Sequence, residues 1–347
     1  MDAKDQALAR APDEPADRAD SAGRRLRNRV IHDVRLQRYQ HINAAVTAGL
    51  GVAGVLSAAA LSIHAGGVSG TDIALFLLYF IPIQLGVTVG FHRYFCHRSF
   101  TADSGTRSAL AILGSMAAQG PVVFWVALHR MHHEFADHEG DPHSPNLSGE
   151  KLSQRAKGLV HAYIGWITRH AVPNANHYAR DLLRDSRVMW INRRYYLWVA
   201  AGLALPTITG AVLLRGWAGA LEGFLWGGLV RMCVGHNMIW WITSFAHVVG
   251  KREYRTADRS TNNFWIAIPT LGESWHNNHH SFPNAAVLDF QWWQVDISGA
   301  TIRILRRLGL ARDVVIPNRT ALDARRIGAD GVRAETTEQV KKVGSDA

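Results

Sequence analysis

Cysteine is scarce in this chain, whose 347 residues include only Cys96 and Cys233. Two cysteines cannot form the disulfide framework that stabilises small secreted proteins. Neither cysteine belongs to a CxxC pair, the spacing typical of cysteine zinc sites and redox-active thiols. We therefore expect two reduced thiols that pack against their neighbours.

The polar ends of the sequence lack long apolar runs. Residues 1–27 mix Asp, Ala, Pro and Arg without apolar periodicity, which predicts a disordered tail and not a signal peptide. Residues 28–41 place aliphatic residues among arginines, a pattern that suits either a basic helix on a membrane surface or a solvated linker. At the other end, residues 318–347 are polar and charged, which predicts a second loose tail.

Acidic residues are outnumbered by basic ones, and the formal charge is +10. On a soluble fold, such a charge would favour nucleic-acid binding. Here the arginines flank apolar segments instead, which is typical of a membrane protein with a basic cytoplasmic side. We therefore expect a membrane, and no nucleic acid, as the partner of this charge.

Four long apolar segments lie between the polar ends. They cover about residues 43–63, 73–90, 195–214 and 221–246. Each is long enough to cross a hydrocarbon core of about 30 Å, and a short connection joins the members of each pair. The sequence thus predicts an all-α integral membrane protein with two transmembrane helical hairpins, and one domain over residues 42–317.

Basic residues follow both hairpins, which places both termini and a helical cap on the cytoplasmic side. The apolar segment Ser108–Leu128 is interrupted at Gly120–Pro121, a pair that breaks helices. If this segment crossed the membrane, the histidines at 129–133 would lie on the opposite side from His92 and His97. The two sets could then not share a metal site. We therefore expect an interfacial or re-entrant pair of helices here.

Histidine is concentrated in three clusters that this topology places on the cytoplasmic side. Two clusters have the pattern HxxHH, which puts three imidazoles on one face of a helix. Neutral imidazole is the commonest protein metal ligand and suits iron, copper or zinc, which spacing does not distinguish. There are more histidines than one ion can use, so we predict two ions. The predicted ligands are His92, His97, His129, His132, His133, His247, His276, His279 and His280.

Acidic residues near the clusters are candidates to accept the second ring N–H of a ligand histidine, as metal-bound imidazoles usually require. Asp141 and Glu273 are the preferred candidates, and the others are Glu134, Asp137 and Asp296. His138 and His143 lie outside the HxxHH pattern and are expected not to bind metal. No metal role is expected for His32, His41, His64, His161, His170, His177 and His236.

These motifs resemble those of the membrane-bound fatty acid desaturases. HxxxxH at 92–97 and HxxHH at 129–133 and 276–280 are ordered around two apolar hairpins. The segments HRMHH and DPHS, then GESWHNNHHSFP and WWQVD, resemble the acyl-CoA Δ9 desaturases, and GESWHNNHH is most similar to the bacterial members. The resemblance extends from about Ile73 to Val315.

The resemblance implies a diiron centre held by the nine histidines, on the cytoplasmic side of the inner membrane. Such a centre activates O2 and removes two hydrogens from a saturated acyl chain, most often at Δ9 of an acyl-CoA, giving a cis double bond. The sequence has neither an HPGG haem motif nor a CxxC iron site, so electrons are expected from a separate ferredoxin, rubredoxin or cytochrome with its reductase.

One position departs from the family pattern. The family often has an asparagine one helical turn before the histidine that corresponds to His247, and this chain has Thr243 there. A hydroxyl can also hold a water beside that metal, and Asn237 is not a substitute by helical spacing. Candidates to line an acyl tunnel are Trp125, Trp240, Trp241 and Trp275.

Two other classes of function remain open. A lipid-linked acyl desaturase or a fatty acyl hydroxylase would use the same scaffold on another substrate or with another outcome. A metal-transport membrane protein is the non-enzymatic alternative. Transport ligands should line the spans at mid-membrane, whereas these histidines cluster at or beyond the ends of the spans.

Overall fold

The computed structural model describes residues 28–328, which form an almost entirely helical protein. The predicted tail at residues 1–27 lies outside the described residues, as do residues 329–347. The strands are short antiparallel pairs: β1 (Val30–Ile31) with β3 (Val172–Pro173), and β2 (Thr101–Ala102) with β4 (Ala311–Arg312). The fold is therefore built from helices.

The first long helix, α1, extends from Val34 to His64. The Asp33 carboxylate accepts hydrogen bonds from the backbone N–H groups of Arg35 and Leu36, at 2.7 and 3.1 Å, and so caps the first turn. A basic surface helix or a linker was expected over residues 28–41, and the structure shows that residues 34–41 are helical. The helix begins at the Asp33 cap and continues without a break into the apolar segment.

The second long helix, α2 (Gly70–Leu85), continues directly into a π-helical segment, Gly86–Cys96. It begins with a capping box, in which Ser69 and Asp72 each accept the other's backbone N–H, at 3.1 and 2.9 Å. A Cβ at Gly86 would lie 2.3 Å from the backbone nitrogen of Gly114. Only glycine therefore allows the next helix to approach so closely.

Helices α3 (Ser104–Met116) and α4 (Val122–Phe135) form the predicted pair broken at Gly120–Pro121. Gly120 has a φ of +106°, a conformation that favours glycine. Pro121 directly precedes α4, and it lacks the N–H that a helix start leaves unpaired. This break turns the chain, so that the end of α4 reaches the end of the π-helical segment.

Small helices follow before the next long one. A 3₁₀ turn at Gly165–Thr168 lies among them. The small helices are α5 (Leu152–Tyr163), α6 (Ala175–Tyr178), α7 (Arg180–Leu183) and α8 (Ser186–Arg193).

The second half of the bundle contains α9 (Tyr195–Leu213), α10 (Trp217–Glu222), a π-helical segment Gly223–Val230 and α11 (Arg231–Phe245). The buried Arg231 guanidinium donates to the carbonyls of Met116 and Gly202, at 3.0 and 2.8 Å. It thereby ties α11 to the last turn of α3 and to α9.

Three helices in residues 28–328 are long and apolar enough to cross a membrane: Val34–His64, Gly70–Cys96 and Tyr195–Leu213. The fourth predicted span, 221–246, is helical but is not one of these three. The mostly helical architecture with apolar spans is therefore confirmed, while the four-span topology and the cytoplasmic cap remain predictions.

The described part of the chain ends with α12 (His276–Ser281), α13 (Ile297–Arg307) and α14 (Arg319–Arg325). The segment after α14 returns to the loop at Tyr254, which pairs with Arg326. The backbone N–H of Arg255 also donates to Arg325, at 2.9 Å. A loose tail from residue 318 was expected; the structure shows that residues 318–328 fold back onto the protein.

Candidate metal centre

Nine histidines meet in two adjacent groups. Within each group, one ring nitrogen of every member lies within 4.8 Å of those of the others. The five-histidine group contains His92, His97, His129, His133 and His279, and the four-histidine group contains His132, His247, His276 and His280. All nine predicted ligands belong to one of these groups.

Each HxxHH motif contributes to both groups. On α4, His129 and His133 enter the five-histidine group, while His132 enters the four-histidine group. On α12 the division is reversed, because His276 and His280 enter the four-histidine group and His279 the other. Residues four apart on a helix share a face, and the intervening third position points to one side. Two short helices thus hold the groups side by side.

The first motif, HxxxxH, depends on the π-helical segment. The backbone N–H of His97 donates to the carbonyl of His92 at 3.1 Å, an i to i+5 hydrogen bond. In a regular α-helix, residues five apart are about 140° apart around the axis. The wider π turn instead brings them one above the other, and their rings meet edge to face with centroids 4.9 Å apart.

Ring nitrogens in the groups are close together. In the five-histidine group, four Nε2–Nε2 distances lie between 2.9 and 3.1 Å. His129, His133 and His279 each make two such contacts, which one ring nitrogen cannot satisfy with one ordinary hydrogen bond. Ligands at right angles around an ion, about 2.1 Å from it, have their nitrogens about 3.0 Å apart, whereas tetrahedral ligands are about 3.4 Å apart. Nitrogens this close, with more contacts than their protons can satisfy, fit ligands that converge on a metal ion.

Carboxylates hold the other ring nitrogen of four of these histidines. The Nδ1 of His132 lies 2.9 Å from Asp141, and that of His92 lies 2.6 Å from Glu273. Two further contacts join His247 to Asp137 at 2.9 Å and His280 to Asp258 at 2.8 Å. A proton fixed on Nδ1 leaves the Nε2 lone pair free for a metal.

Glu273 is itself part of a buried ion network. Arg93 is 1% exposed and donates to Glu273 at 3.0 Å. It also makes two parallel hydrogen bonds to Asp296, at 2.8 and 2.9 Å. A Cβ at Gly272, whose φ is +98°, would lie 2.4 Å from the carboxylate of Asp296. Buried charges require such pairing, and this network locks the third histidine motif to the first.

Burial keeps most of these imidazoles neutral, which is the form that binds metal. It lowers the pKa of His97, His129 and His133 well below the usual value. The pKa values of His276 and His279 fall for the same reason.

His247 behaves differently from these histidines. Burial lowers its pKa, but the hydrogen bond and the negative charge of Asp137 outweigh burial and raise it. Burial also raises the pKa of Asp137, yet the contact with His247 holds that pKa far below its usual range. The pair is therefore strongly coupled, with the carboxylate ionised.

Two ring nitrogens in the four-histidine group have no partner among the described residues. The buried Nε2 atoms of His132 and His280 make no hydrogen bond there. The Nδ1 of each already contacts a carboxylate, so Nε2 carries the free lone pair. An unsatisfied buried polar atom is costly, and a metal ion between these atoms removes that cost. The residues present therefore fit a pair of metal ions.

The acidic candidates divide into two sets. Asp141, Glu273 and Asp137 lie against ligand candidates, as the sequence suggested. Glu134 instead pairs with Arg29 at 2.9 Å and Asp296 with Arg93, so those two expectations are wrong. Asp258 was missed, because it lies 22 residues before His280 in a loop without periodicity.

The remaining sequence candidates have other surroundings. The Thr243 hydroxyl donates to the carbonyl of Ala162 at 2.8 Å, so its proton is not available to a water at His247. His143 stacks against His132, with centroids 4.2 Å apart, and lies 3.8 Å from Asp141. Trp275 packs in the core with Ala285 and Leu288 instead of lining a tunnel.

An apolar cavity of about 320 Å³ adjoins the five-histidine group. His129 forms part of its wall, and Trp125 stacks on His129 with centroids 5.2 Å apart. Trp240 and Thr243 also line it. An apolar ligand bound in this cavity would lie beside a metal-ligand candidate.

Comparison with known proteins gives a consistent result. Residues 71–296 match the family model described as fatty acid desaturase. A hex-5-enoyl-[acyl-carrier protein] acetylenase of Moorena producens is 47% identical over 262 residues, 75% of this chain and 82% of that protein. An sn-1 stearoyl-lipid 9-desaturase of Synechocystis is 37% identical over 71% of this chain and 72% of that protein. An acyl-CoA C20 Delta5-desaturase of Anemone leveillei is 34% identical over 70% and 73%.

The family model covers more than half of the chain, and it spans both histidine groups. The helical architecture, the apolar spans and the clustered histidines agree with it. The chain belongs to the fatty acid desaturase family, and is therefore an oxidoreductase.

Proposed function

We propose that this protein is an O2-dependent diiron desaturase that introduces a cis double bond, at Δ9, into a saturated acyl chain carried as a thioester. The main observation behind the proposal is that each HxxHH motif contributes histidines to both groups, and that an apolar cavity lies beside them. His92, His97, His129, His133 and His279 would hold one iron, and His132, His247, His276 and His280 the other.

The metal pair would supply the oxidising power that removes hydrogen from an unactivated carbon, which no side-chain acid or base can do. The protein's own residues orient the metal ligands and shield the acyl chain. Asp137, Asp141, Asp258 and Glu273 orient four imidazoles through Nδ1. The cavity wall excludes water from the chain beside His129.

Polar atoms in the cavity wall suit a substrate with a carbonyl group. The indole Nε1–H of Trp166 is buried and has no partner among the described residues. This group can only donate, and a saturated hydrocarbon offers no acceptor. The unpartnered Nδ1 of His143 lies on the same wall. We assign this part of the wall to the carbonyl of the thioester.

The structure and the relatives say less about the group that carries the acyl chain than about the chain itself. Acyl-CoA and acyl-carrier protein present the same phosphopantetheine thioester, and relatives named for each of these carriers are similar to this chain. Relatives named for lipid-linked substrates are also similar. We propose the thioester, with acyl-CoA as the first form to test, and the lipid ester as the alternative.

The catalytic cycle needs two electrons, which we assign to a separate ferredoxin, rubredoxin or cytochrome and its reductase. We further propose that the metal site faces the cytoplasm at a bacterial inner membrane. The basic residues that follow both predicted hairpins support this orientation.

The test combines metal analysis and product analysis. Purified protein should contain about two irons per chain. With a reducing system and O2, it should convert stearoyl-CoA to a product that is two hydrogens lighter, with a cis bond at carbon 9. Stearoyl-carrier protein and a stearoyl lipid serve as parallel substrates. A hydroxylated product, or iron-free protein with full activity, would overturn the proposal.

A second candidate activity is acetylenase, which removes hydrogen from a chain that already has a double bond. The 47% identity with the hex-5-enoyl-[acyl-carrier protein] acetylenase favours it. Supplying the enzyme with saturated and with monounsaturated chains of equal length distinguishes the two. A triple bond that forms only from the unsaturated chain would support the acetylenase.

A further inference from the structure

Six exposed apolar side chains lie in the two stretches of sequence that flank the third histidine motif. Trp292 is 96% exposed, Trp265 is 85% and Ile268 is 64%. Phe264 joins the two stretches of sequence, because its ring lies 5.6 Å from Trp265 and 6.2 Å from Trp293. We call this the tryptophan patch; it consists of Phe264, Trp265, Ile268, Trp292, Trp293 and Val295.

The patch is connected to the apolar helices that we expect to cross the membrane. Leu271 and Ile297, which flank the patch in sequence, share one apolar cluster with Phe80 and Met238 of the spans. On α2, the outward residues Leu77 and Leu78 are 44% and 55% exposed. The residues that flank the patch are therefore packed against helices whose outer side is also apolar.

Depth along α2 supports the same conclusion. The helix begins at Gly70, directly after the polar cap formed by Ser69 and Asp72. At 1.5 Å per residue, Phe80 lies about 15 Å from that start, and the hydrocarbon core is about 30 Å thick. The cluster that includes Leu271 and Ile297 thus has a member within the depth of the hydrocarbon core. In sequence, the patch residues Ile268 and Val295 are three and two residues from Leu271 and Ile297.

The helix that follows the patch has the composition of an interfacial helix. On α13, Ile304 is 55% exposed, and Leu308, just after its end, is 66% exposed. Arg306 and Arg307, in its last turn, are also exposed. Exposed apolar residues beside arginines are typical of helices that lie at a bilayer with anionic headgroups, and tryptophan is enriched at that level.

We infer that the tryptophan patch inserts into the cytoplasmic leaflet of the membrane and anchors the segment that carries the third histidine motif. The occupant is lipid, and neither a second copy of the chain nor an electron-donor protein. The inference goes beyond catalysis, since it concerns where this segment lies and needs neither metal nor turnover.

The test measures depth at single labelled positions. Trp265→Cys, Ile268→Cys and Trp292→Cys are made separately in a background with Cys96→Ala and Cys233→Ala. Each is labelled with the fluorophore NBD and placed, one copy per nanodisc, in phosphatidylcholine and phosphatidylglycerol at about 3:1. Doxyl groups placed near the carbonyl end or midway along an acyl chain, in separate samples, then quench labels that touch lipid at either depth.

Matched controls define both extremes. Leu78→Cys lies on the outward face of α2 and Glu139→Cys on an exposed loop beside the second histidine motif. We expect quenching at 265, 268 and 292 to approach that at 78 and to exceed that at 139 several-fold. Quenching at the level of position 139 at all three sites overturns the inference. If those labels respond only when two copies share a disc, or only when a donor protein is added, the patch is a protein interface instead. Three positions keep the test decisive if one variant fails to fold.

Discussion

The five-histidine and four-histidine groups are built by different means. In the five-histidine group, one member, His92, rests on a carboxylate, and the π turn and the helix faces place the others. In the four-histidine group, carboxylates hold His132, His247 and His280. Backbone geometry thus arranges the first group and side-chain pairing arranges the second. The second group also offers one histidine fewer to a metal ion.

Removing a ligand should have the largest effect, and it tests whether both groups are needed. His279→Ala removes a ligand of the five-histidine group and His132→Ala one of the four-histidine group. We expect each variant to lose product formation, and iron to fall from about two per chain towards one. The measurements are iron per chain and product yield in membranes.

The control for that comparison is His138→Ala, which changes an exposed histidine outside both groups. It should keep iron and activity. Full activity in either ligand variant would contradict the assignment of that histidine.

Replacing the carboxylates that hold the four-histidine group should weaken metal binding there and leave the five-histidine group unchanged. Asp137→Asn, Asp141→Asn and Asp258→Asn each remove the anion that holds a histidine of the four-histidine group. We expect a loss of about 10- to 100-fold in metal affinity, confined to one of two ions. Competition with a chelator, followed as iron retained against chelator concentration, measures it.

Glu134→Gln is the matched control, because Glu134 pairs with Arg29 and not with a ligand candidate. Its iron retention should equal that of the unchanged protein. If all four variants behave alike, the carboxylates do not act through the histidines.

A smaller effect is expected at the cavity wall. Trp166→Phe keeps the ring shape but removes the N–H that we assign to the substrate carbonyl. The loss of one hydrogen bond, about 0.5–1.5 kcal/mol, corresponds to a rise of about 2- to 10-fold in KM. Iron content should not change, and a fall in iron would mean that Trp166 acts on the metal site instead.

The smallest effect concerns Thr243, in the wall of the apolar cavity. Since its hydroxyl donates to the Ala162 carbonyl, Thr243→Asn replaces one hydrogen-bonding group with another. We expect the variant to be tolerated, or to turn over faster if the amide holds a water near His247. A complete loss of iron would contradict the position we give to this residue.

The sequence predicted much of this centre, since the HxxHH motifs are local patterns that a helix converts directly into geometry. It also predicted the broken helix pair at Gly120–Pro121, because those residues restrict the backbone locally. The ion network of Arg93 and the role of Asp258 were not predictable, since each joins residues distant in the chain. The uninterrupted first helix was missed because its start depends on the Asp33 cap and not on hydropathy.

The π turn between His92 and His97 makes the protein's tolerance of length changes asymmetric. Deleting one residue between them gives an i, i+4 pair, which an ordinary α-helix already presents on one face. Adding one residue gives an i, i+6 pair, which lies about 120° apart around an α-helix and therefore on different faces. In a library of length variants at this position, the shorter chains should therefore retain iron far more often than the longer ones.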